Sequence, residues 1–220
     1  MTNGSEIIPL STHDVIIPAR EEVANTLIPT VWAFFNCPLV DRIIVVNDGL
    51  SETVMMQLTS LRVYTGGDRL IILDGPREGK GQAVTAGLEL VTADRVIFCD
   101  GDLHHFTTGS AWLLCGAITV DTMIIGVTEY KEGLYVPWPV RYPDWVAVSG
   151  ERSVHVDLVR GLDLHGYGME TQINAAAQQH GIPVVPVELH GVYGSARWSE
   201  RRESEMQRDR KWLKEQGFVV

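Results

Sequence analysis

Short apolar runs alternate with longer amphipathic segments along the first 127 residues of the chain. The runs are rich in β-branched side chains and end at polar or turn residues; they read DVIIP (14–18), RIIVVND (42–48), RLIILD (69–74), RVIFCD (95–100) and TMIIGV (122–127). Such runs are typical of strands that are buried on both faces of a sheet. The pattern therefore predicts a strand at each of these places.

The segments between the first four runs place apolar residues three and four positions apart, as helices that lie on a sheet do. They are REEVANTLIPTVWAFF (20–35), SETVMMQLTSL (51–61) and GQAVTAGLELV (81–91). Strands that alternate with helices in this way form a largely parallel sheet. The predicted fold class is α/β, with a mostly parallel central sheet flanked by helices.

The carboxyl half of the chain has a less regular pattern. The stretch 128–152 is rich in proline and aromatic residues and predicts a covering loop or a substrate-binding insertion. A short helix is predicted near SVHVDLVRG (153–161), a second helix at METQINAAAQQHG (169–181), a strand at IPVVPVELH (182–190) and a charged helix from about Trp198. No linker separates these elements, so we expect one domain over residues 1–220, with halves at 1–127 and 128–220.

Composition and charge exclude several classes of protein. The formal net charge of −10 disfavours passive binding to nucleic acid or anionic lipid, although residues 197–220 are mildly basic. No apolar run is long enough to span a bilayer, and no secretory signal is visible, so we expect a cytoplasmic protein. The three cysteines form no C-x-x-C pair, which predicts buried free thiols. A homo-oligomer stays possible.

Carboxylates stand where the predicted strands end. Asp48 and Asp74 end the second and third runs, and Asp100 and Asp102 flank a glycine after the fourth. Ligands bind at the carboxyl ends of strands in such sheets, and paired carboxylates suit Mg²⁺ or Mn²⁺ with a bound diphosphate. A D-G-D stretch by itself is a weak signal and is more typical of a simple turn.

Four sequence motifs, taken in their order along the chain, favour a ligand site at the D-G-D stretch over a simple turn. The chain shows IIPAREE (16–22), VVNDGLSET (45–53), EGKGQAVTAGL (78–88) and IFCDGDL (97–103). At this order and spacing it resembles the family 2 type of glycosyltransferase with the nucleotide-binding GT-A fold. The resemblance implies a metal-dependent enzyme that uses Mn²⁺ or Mg²⁺ to move a sugar from a nucleotide-diphosphate sugar to a hydroxyl acceptor.

The same resemblance implies roles for individual residues of the amino half, which would be the nucleotide-sugar-binding half. The implied donor-binding residues are Pro18, Ala19, Glu22, Asp48, Gly79, Lys80, Asp100 and Gly101, and Asp102 is the implied metal ligand. The chain departs from the family pattern at Arg20, where Tyr is frequent, at Glu21, where Asn is usual, and at Asn47 and Leu50. These departures leave the nucleotide open between UDP and GDP, and the sugar open as well.

The carboxyl half is similar in layout to glucosyl-3-phosphoglycerate synthases and their dolichyl-phosphate mannosyltransferase-like relatives. The similarity rests on VSGERSV (148–154), LHGYGMETQINAAAQQHG (164–181) and VELHGV (187–192). It implies that Gly150 and Glu151 border the sugar or acceptor, that Glu170 faces the sugar, and that His190 binds the metal with Asp102. The expected catalytic residues are Asp102, Glu151 and Glu170, and the expected acceptor-binding residues are Gly150, Arg152 and Arg197.

Several alternatives remain open. The favoured acceptor is a small phosphorylated or carboxylated metabolite, and a hydroxymethylated DNA base is the alternative. A sugar-phosphate nucleotidyltransferase would show a Gly-rich, Arg-containing loop where this chain has PAREE. A non-catalytic nucleotide-sugar-binding protein would not need Asp102. Retaining and inverting routes are both compatible with the residues present.

Overall fold

The chain folds into an α/β structure, and bounds can be given for eight strands and five α-helices of its described part. The computed structural model describes residues 12–20, 24–116, 122–129, 149–164 and 166–194, with the helical positions 207, 208, 211, 214 and 215. The strands are β1 (His13–Ala19), β2 (Val40–Asn47), β3 (Leu70–Asp74), β4 (Arg95–Phe98), β5 (Leu103–His104), β6 (Met123–Glu129), β7 (Arg152–His155) and β8 (Val184–Gly194). The helices are α1 (Ala24–Phe35), α2 (Glu52–Tyr64), α3 (Lys80–Leu88), α4 (Thr108–Cys115) and α5 (Met169–Gln179).

All eight strands belong to one sheet, in the order β3-β2-β1-β4-β7-β6-β8-β5. Strands β1 to β4 are mutually parallel, and β6 is parallel to β8. Antiparallel pairing joins β7 to both β4 and β6, and β5 to β8. The predicted α/β class and the mostly parallel sheet are confirmed, because the strands that follow the regular alternation all run in the same direction.

Helices cover both faces of the sheet, which explains why the first strands are apolar throughout. In β1, Val15 and Ile17 pack into a core with α1, α2 and α4, whereas Ile16 packs into a second core with α3 and α5. All three side chains are fully buried. Alternating side chains of a strand point to opposite faces, so a strand between two helical layers needs apolar residues at every position.

The short helix predicted near residues 153–161 is confirmed only as a 3₁₀ helix at Val156–Leu158, and residues 153–155 form a strand instead. This region begins with β7 and continues as a 3₁₀ turn at Val156–Leu158. Strand β7 lies inside the sheet between β4 and β6, and Arg152 and Ser153 are fully buried there. Pairing on both sides overrides the local pattern, since it satisfies the backbone groups of the strand. Most of the predicted loop 128–152 and most of the charged tail lie outside the described residues.

The prediction of free, buried thiols is confirmed for Cys37, Cys99 and Cys115. Cys37 and Cys115 approach each other across the packed ends of α1 and α4, with their sulfur atoms 3.8 Å apart. Within the described residues, none of the helices combines the length and the apolar character that crossing a membrane requires.

A buried ion pair joins strands β1 and β2 at the end of the sheet opposite to the D-G-D stretch. Arg42 Nη2 donates to Asp14 Oδ2 at 2.6 Å and to the carbonyl oxygen of Leu90 at 2.7 Å. The backbone nitrogens of Thr92 and Ala93 donate to the same carboxylate at 2.7 and 3.1 Å. Asp14 is fully buried. One carboxylate therefore holds two strands and the loop before β4.

We expect Asp14→Ala to lower the free energy of unfolding by about 3 kcal/mol, because it leaves two backbone N–H groups without their acceptor and the part-buried guanidinium of Arg42 without its ion-pair partner. Urea denaturation measures the change. The exposed neighbour Asp41 provides the matched control, and Asp41→Ala should stay within about 0.5 kcal/mol of the parent chain. Equal losses in the two variants would contradict this account of the ion pair.

Candidate active site

The carboxyl ends of β1 and β2 form one end of the candidate site. The backbone nitrogen of Asp48 donates to the carbonyl oxygen of Ala19 at 2.9 Å, which holds the two strand ends together. Arg20 Nε donates to Asp48 Oδ2 at 2.8 Å. The other carboxylate oxygen, Oδ1, is buried and has no hydrogen-bond partner among the described residues. A buried acceptor of this kind is costly unless a ligand satisfies it, so Asp48 marks a place where a donor group of a ligand fits.

Lys80 stands at the centre of the site. Its ammonium lies 2.6 Å from Asp100 Oδ1 and 2.7 Å from Glu170 Oε1. Lys80 is the first residue of α3, where the helix dipole disfavours a cation. Burial lowers its pKa, but the two carboxylates raise it more, so the net shift is upwards and the ammonium stays charged. The two ion pairs thus stabilise the charged form of Lys80 more than the helix dipole and burial destabilise it.

Two glycines make the close packing around Lys80 possible. A Cβ atom on Gly81 would lie 2.5 Å from the carbonyl oxygen of Leu164 and 2.7 Å from the backbone nitrogen of Gly166. A Cβ atom on Gly150 would lie 2.5 Å from Asp100 Oδ2. Gly81 therefore lets α3 approach the segment that leads into α5, and Gly150 lets β7 approach the end of β4.

A third carboxylate, that of Glu151, lies buried beside this cluster. Ser149 Oγ donates to Glu151 Oε2 at 2.8 Å. Burial, together with the nearby charge of Asp100, raises the pKa of Glu151 to about 7. Arg152, the next residue, is also buried, and its Nε donates to the carbonyl oxygen of Ser149 at 2.8 Å while Nη1 donates to Asn174 Oδ1. The guanidinium that was expected to bind the acceptor thus lies within the protein interior.

The D-G-D turn is fixed from two sides. Thr26 Oγ1, on α1, donates to the carbonyl oxygen of Gly101 at 2.6 Å. Directly after Asp102, strand β5 pairs with the end of β8, where His104 lies opposite Tyr193 and the two rings stack at 4.8 Å. Asp102 itself is partly exposed, so its carboxylate can reach a ligand from a rigid backbone.

His190 lies in an irregular part of β8. The pairing with β6 shifts register so that Leu189 lies opposite Thr128 and Tyr193 lies opposite Glu129. The imidazole is 73% exposed, and its Nδ1 lies 3.8 Å from Glu188 Oε1. The bulge starts three residues before Tyr193, which pairs close to Asp102, so both expected metal ligands lie towards the same end of β8. Within the described residues, no three His, Cys, Asp or Glu side chains form a ready metal site.

The structure brings together the expected residues Lys80, Asp100, Gly150, Glu151 and Glu170. Pro18, Ala19, Asp48, Gly79, Gly101 and Asp102 lie at strand or helix ends of the same parallel half, and Glu22 and Arg197 lie outside the described residues. Sequence reasoning missed the supporting roles of Ser149 and Asn174. Only the spacing of Ser149 two residues before Glu151 was a local signal.

The raised pKa of Glu151 gives a stability change with a definite sign. Between the ordinary carboxyl pKa of 4.5 and about 7, the folded chain keeps a proton that the unfolded chain has lost. Stability from this group is therefore greatest at low pH and falls as pH rises through that window. Glu151→Gln is neutral at every pH and can still accept from Ser149.

We expect Glu151→Gln to match the parent chain in thermal midpoint at pH 5 and to exceed it by at least ~3 °C at pH 8. Thermal unfolding at the two pH values measures the difference. Glu89→Gln, at an exposed position, should show no such change with pH. If the parent chain has a higher thermal midpoint than Glu151→Gln at pH 8, the ionised carboxylate of Glu151 does not destabilise the fold. That result would contradict this account.

Comparison with known proteins agrees with a ligand site at the carboxyl ends of the parallel strands. Residues 14–108, a little under half of the chain, match the family model described as Glycosyl transferase family 2. The matched range begins in β1 and ends in the first residue of α4, so it includes Asp48, Lys80 and the D-G-D turn.

Solved structures of glucosyl-3-phosphoglycerate synthase from Mycobacterium tuberculosis share the fold. The complex with Mn²⁺, UDP and glucosyl-3-phosphoglycerate has a TM-score of 0.72 at 20% identity, over 96% of this chain and 81% of that one. The complex with Mn²⁺, UDP-glucose and glycerol 3-phosphate has a TM-score of 0.73 at 18% identity, over 96% and 82%. The complex with Mg²⁺ and UDP has a TM-score of 0.70 at 21% identity, over 96% and 81%.

At these identities the structural likeness establishes the fold, and the family model places the sequence motifs on it. The α/β sheet, the order of the motifs and the cluster of charged residues at the strand ends agree with one another. The chain therefore has the GT-A fold of these glycosyltransferases, and residues 14–108 carry the match to glycosyltransferase family 2.

Proposed function

We propose that this enzyme transfers a hexose from a UDP-sugar to a hydroxyl group of a small phosphorylated or carboxylated acceptor, with the help of Mn²⁺ or Mg²⁺. The observation that carries the proposal is the Lys80 ammonium between Asp100 and Glu170, at 2.6 and 2.7 Å, at the carboxyl edge of the parallel strands. Support for these substrates comes from the similar synthase, whose complexes contain UDP-glucose, phosphoglyceric acid and glycerol 3-phosphate.

Asp48 is the proposed contact to the base. Its buried Oδ1 atom needs a donor, and the N–H group of a uracil ring supplies one. Arg20 holds the other carboxylate oxygen and so fixes the direction in which Oδ1 points. Pro18, Ala19 and Glu22 complete the proposed base and ribose site, and Gly79 lets the backbone approach the donor.

The donor set fits a hard divalent cation at Asp102. A carboxylate on a fixed turn is a suitable oxygen ligand, and Mn²⁺ or Mg²⁺ commonly completes its shell with water and substrate phosphates. His190 is the proposed second protein ligand, and its exposed position on the β8 bulge leaves it able to turn towards Asp102. The bound cation would neutralise charge on the departing diphosphate.

The three carboxylates, of which those of Glu151 and Glu170 are buried and that of Asp100 is partly exposed, have different proposed tasks. Glu170 and Asp100 are held by Lys80 and would orient the hydroxyl groups of the sugar. Glu151 has a pKa of about 7, so it can hold or accept a proton near neutral pH. In an inverting reaction Glu151 would accept the proton of the acceptor hydroxyl, whereas a retaining reaction would need no such base.

The acceptor is assigned to the carboxyl half, residues 128–220, next to the donor half at 1–127. Gly150 and Arg197 are the proposed contacts to its acidic groups. Arg152 is proposed to act indirectly, because its guanidinium holds Ser149 and Asn174 beneath Glu151. The net charge of −10 weighs against nucleic acid as the acceptor.

Donor hydrolysis tests the proposal without knowledge of the acceptor, since glycosyltransferases transfer sugar slowly to water. We expect UDP release from UDP-glucose in the presence of Mn²⁺, with much slower release from GDP- and ADP-sugars. Asp102→Ala should lower the rate at least ~100-fold, because the diphosphate charge is then poorly neutralised.

Asp74→Asn provides the matched control. Asp74 also ends a parallel strand, but its Oδ1 accepts from Asn47 Nδ2, a bond that an asparagine oxygen can keep. Its rate should stay within about threefold of the parent enzyme. The proposed function would be contradicted if the enzyme hydrolysed none of the nucleotide sugars. It would also be contradicted if Asp102→Ala and Asp74→Asn lowered the rate of hydrolysis equally.

A further inference from the structure

Asp48 lies on a fixed stretch of backbone where β1 and β2 end. Its backbone nitrogen donates to the carbonyl oxygen of Ala19 at 2.9 Å. The preceding side chain, Asn47, accepts through Oδ1 from the backbone nitrogens of Gly49 and Leu50 at 3.1 and 2.8 Å. The turn after β2 is therefore closed by Asn47, and the Asp48 carboxylate has a defined place between the two strand ends.

The two oxygens of the Asp48 carboxylate have different environments. Arg20 Nε donates to Oδ2 at 2.8 Å, whereas Oδ1 is buried and accepts no hydrogen bond from the described residues. The side chain of Asp48 is 2% exposed and that of Arg20 is 38% exposed, so a ligand approaches this pair from the side of Arg20. A flat ring can stack on the plane of a guanidinium, which leaves the edge of the ring to meet Oδ1.

We propose that Arg20 determines which bases the site accepts, because it holds Oδ2 and leaves Oδ1 as the atom of Asp48 that meets the base. A carboxylate oxygen accepts hydrogen bonds and donates none. Oδ1 therefore binds a ring N–H group, such as N3–H of uracil, and rejects a ring nitrogen without hydrogen, such as N3 of cytosine. This role rests on the proposed function, in which Asp48 contacts the base, and it adds the class of base edge that is selected.

An amide at position 48 shows why the direction of the side chain matters. In Asp48→Asn the side chain carries one oxygen and one NH₂ group, and the guanidinium of Arg20 offers only donors. The amide oxygen therefore faces Arg20, and the NH₂ group takes the place of Oδ1. That group donates, so it fits N3 of cytosine and opposes N3–H of uracil. Arg20 is thus a positioning residue, and Asp48→Asn should reverse the base preference only while Arg20 is present.

Calorimetric titration with UDP and with CDP, each in the presence of Mn²⁺, measures the base preference. The two bases have the same ring size, and no turnover disturbs the titration because neither nucleotide carries a sugar to transfer. We expect the parent enzyme to bind UDP at least ~30-fold more tightly than CDP, since CDP would place two acceptors against each other in a buried site. Asp48→Asn should bind CDP at least as tightly as UDP.

Two further variants test whether Arg20 causes the reversal. The double variant Arg20→Met, Asp48→Asn should bind UDP and CDP within about threefold of each other, because the amide can then present either its oxygen or its NH₂ group. Arg20→Met alone should keep the preference for UDP, since both carboxylate oxygens are acceptors. Asp74→Asn, at the end of the neighbouring strand β3, is the matched control and should leave the preference unchanged. Circular dichroism confirms that each variant is folded.

A preference for UDP that persists in Asp48→Asn would overturn the proposal, because Oδ1 would then meet a group that UDP and CDP share, such as a ribose hydroxyl. Equal preferences in Asp48→Asn and in the double variant would overturn the role of Arg20. If either result came with UDP binding and UDP-glucose hydrolysis by the parent enzyme, the proposed function would stand without this inference. Binding of neither nucleotide by the parent enzyme would contradict both. Reversal in Asp48→Asn, together with its loss in the double variant, would support the proposal.

Discussion

The contact between Lys80 and the two carboxylates of Asp100 and Glu170 is the interaction on which the site depends. It joins the start of α3, the end of β4 and the first turn of α5, three elements that are far apart in the sequence. The helix dipole at the start of α5 favours Glu170, whereas that of α3 disfavours Lys80. The ammonium is therefore held by its partners, and Gly81 and Gly150 allow the close approach that the contact requires.

Charge balance at this place explains why a cation belongs in the proposed mechanism. The buried or partly buried side chains there include the carboxylates of Asp100, Glu151 and Glu170, against the cations Lys80 and Arg152. An ionised Glu151 would leave a negative excess, which agrees with the rise of its pKa to about 7. Such a site repels a diphosphate unless a divalent cation accompanies it. Asp102, on the partly exposed turn, is where that cation fits the residues present.

The regular half of the fold could be predicted from the sequence because its signal is local. Strands β1 to β4 are apolar on both faces and lie between amphipathic helices, so the runs and their order were sufficient. Strand β7 was missed, with its residues assigned partly to a loop and partly to a short helix, because its place between β4 and β6 depends on pairing with distant residues. The carboxylates at the strand ends were also predicted, whereas the contact of Lys80 with Glu170, 90 residues away, was not. No local pattern specifies such a pair, and only the folded chain brings Ser149 and Asn174 into the same place.

A double-mutant cycle tests most directly whether Lys80 holds the site together. Lys80→Met, Glu170→Gln and the combined variant are compared with the parent enzyme by urea denaturation at pH 7. A buried contact at 2.7 Å predicts a coupling free energy of about 2 kcal/mol, above the ~0.2–1 kcal/mol that exposed pairs contribute. A coupling near zero, with the two single losses simply additive, would contradict the account, because Lys80 and Glu170 would then act independently.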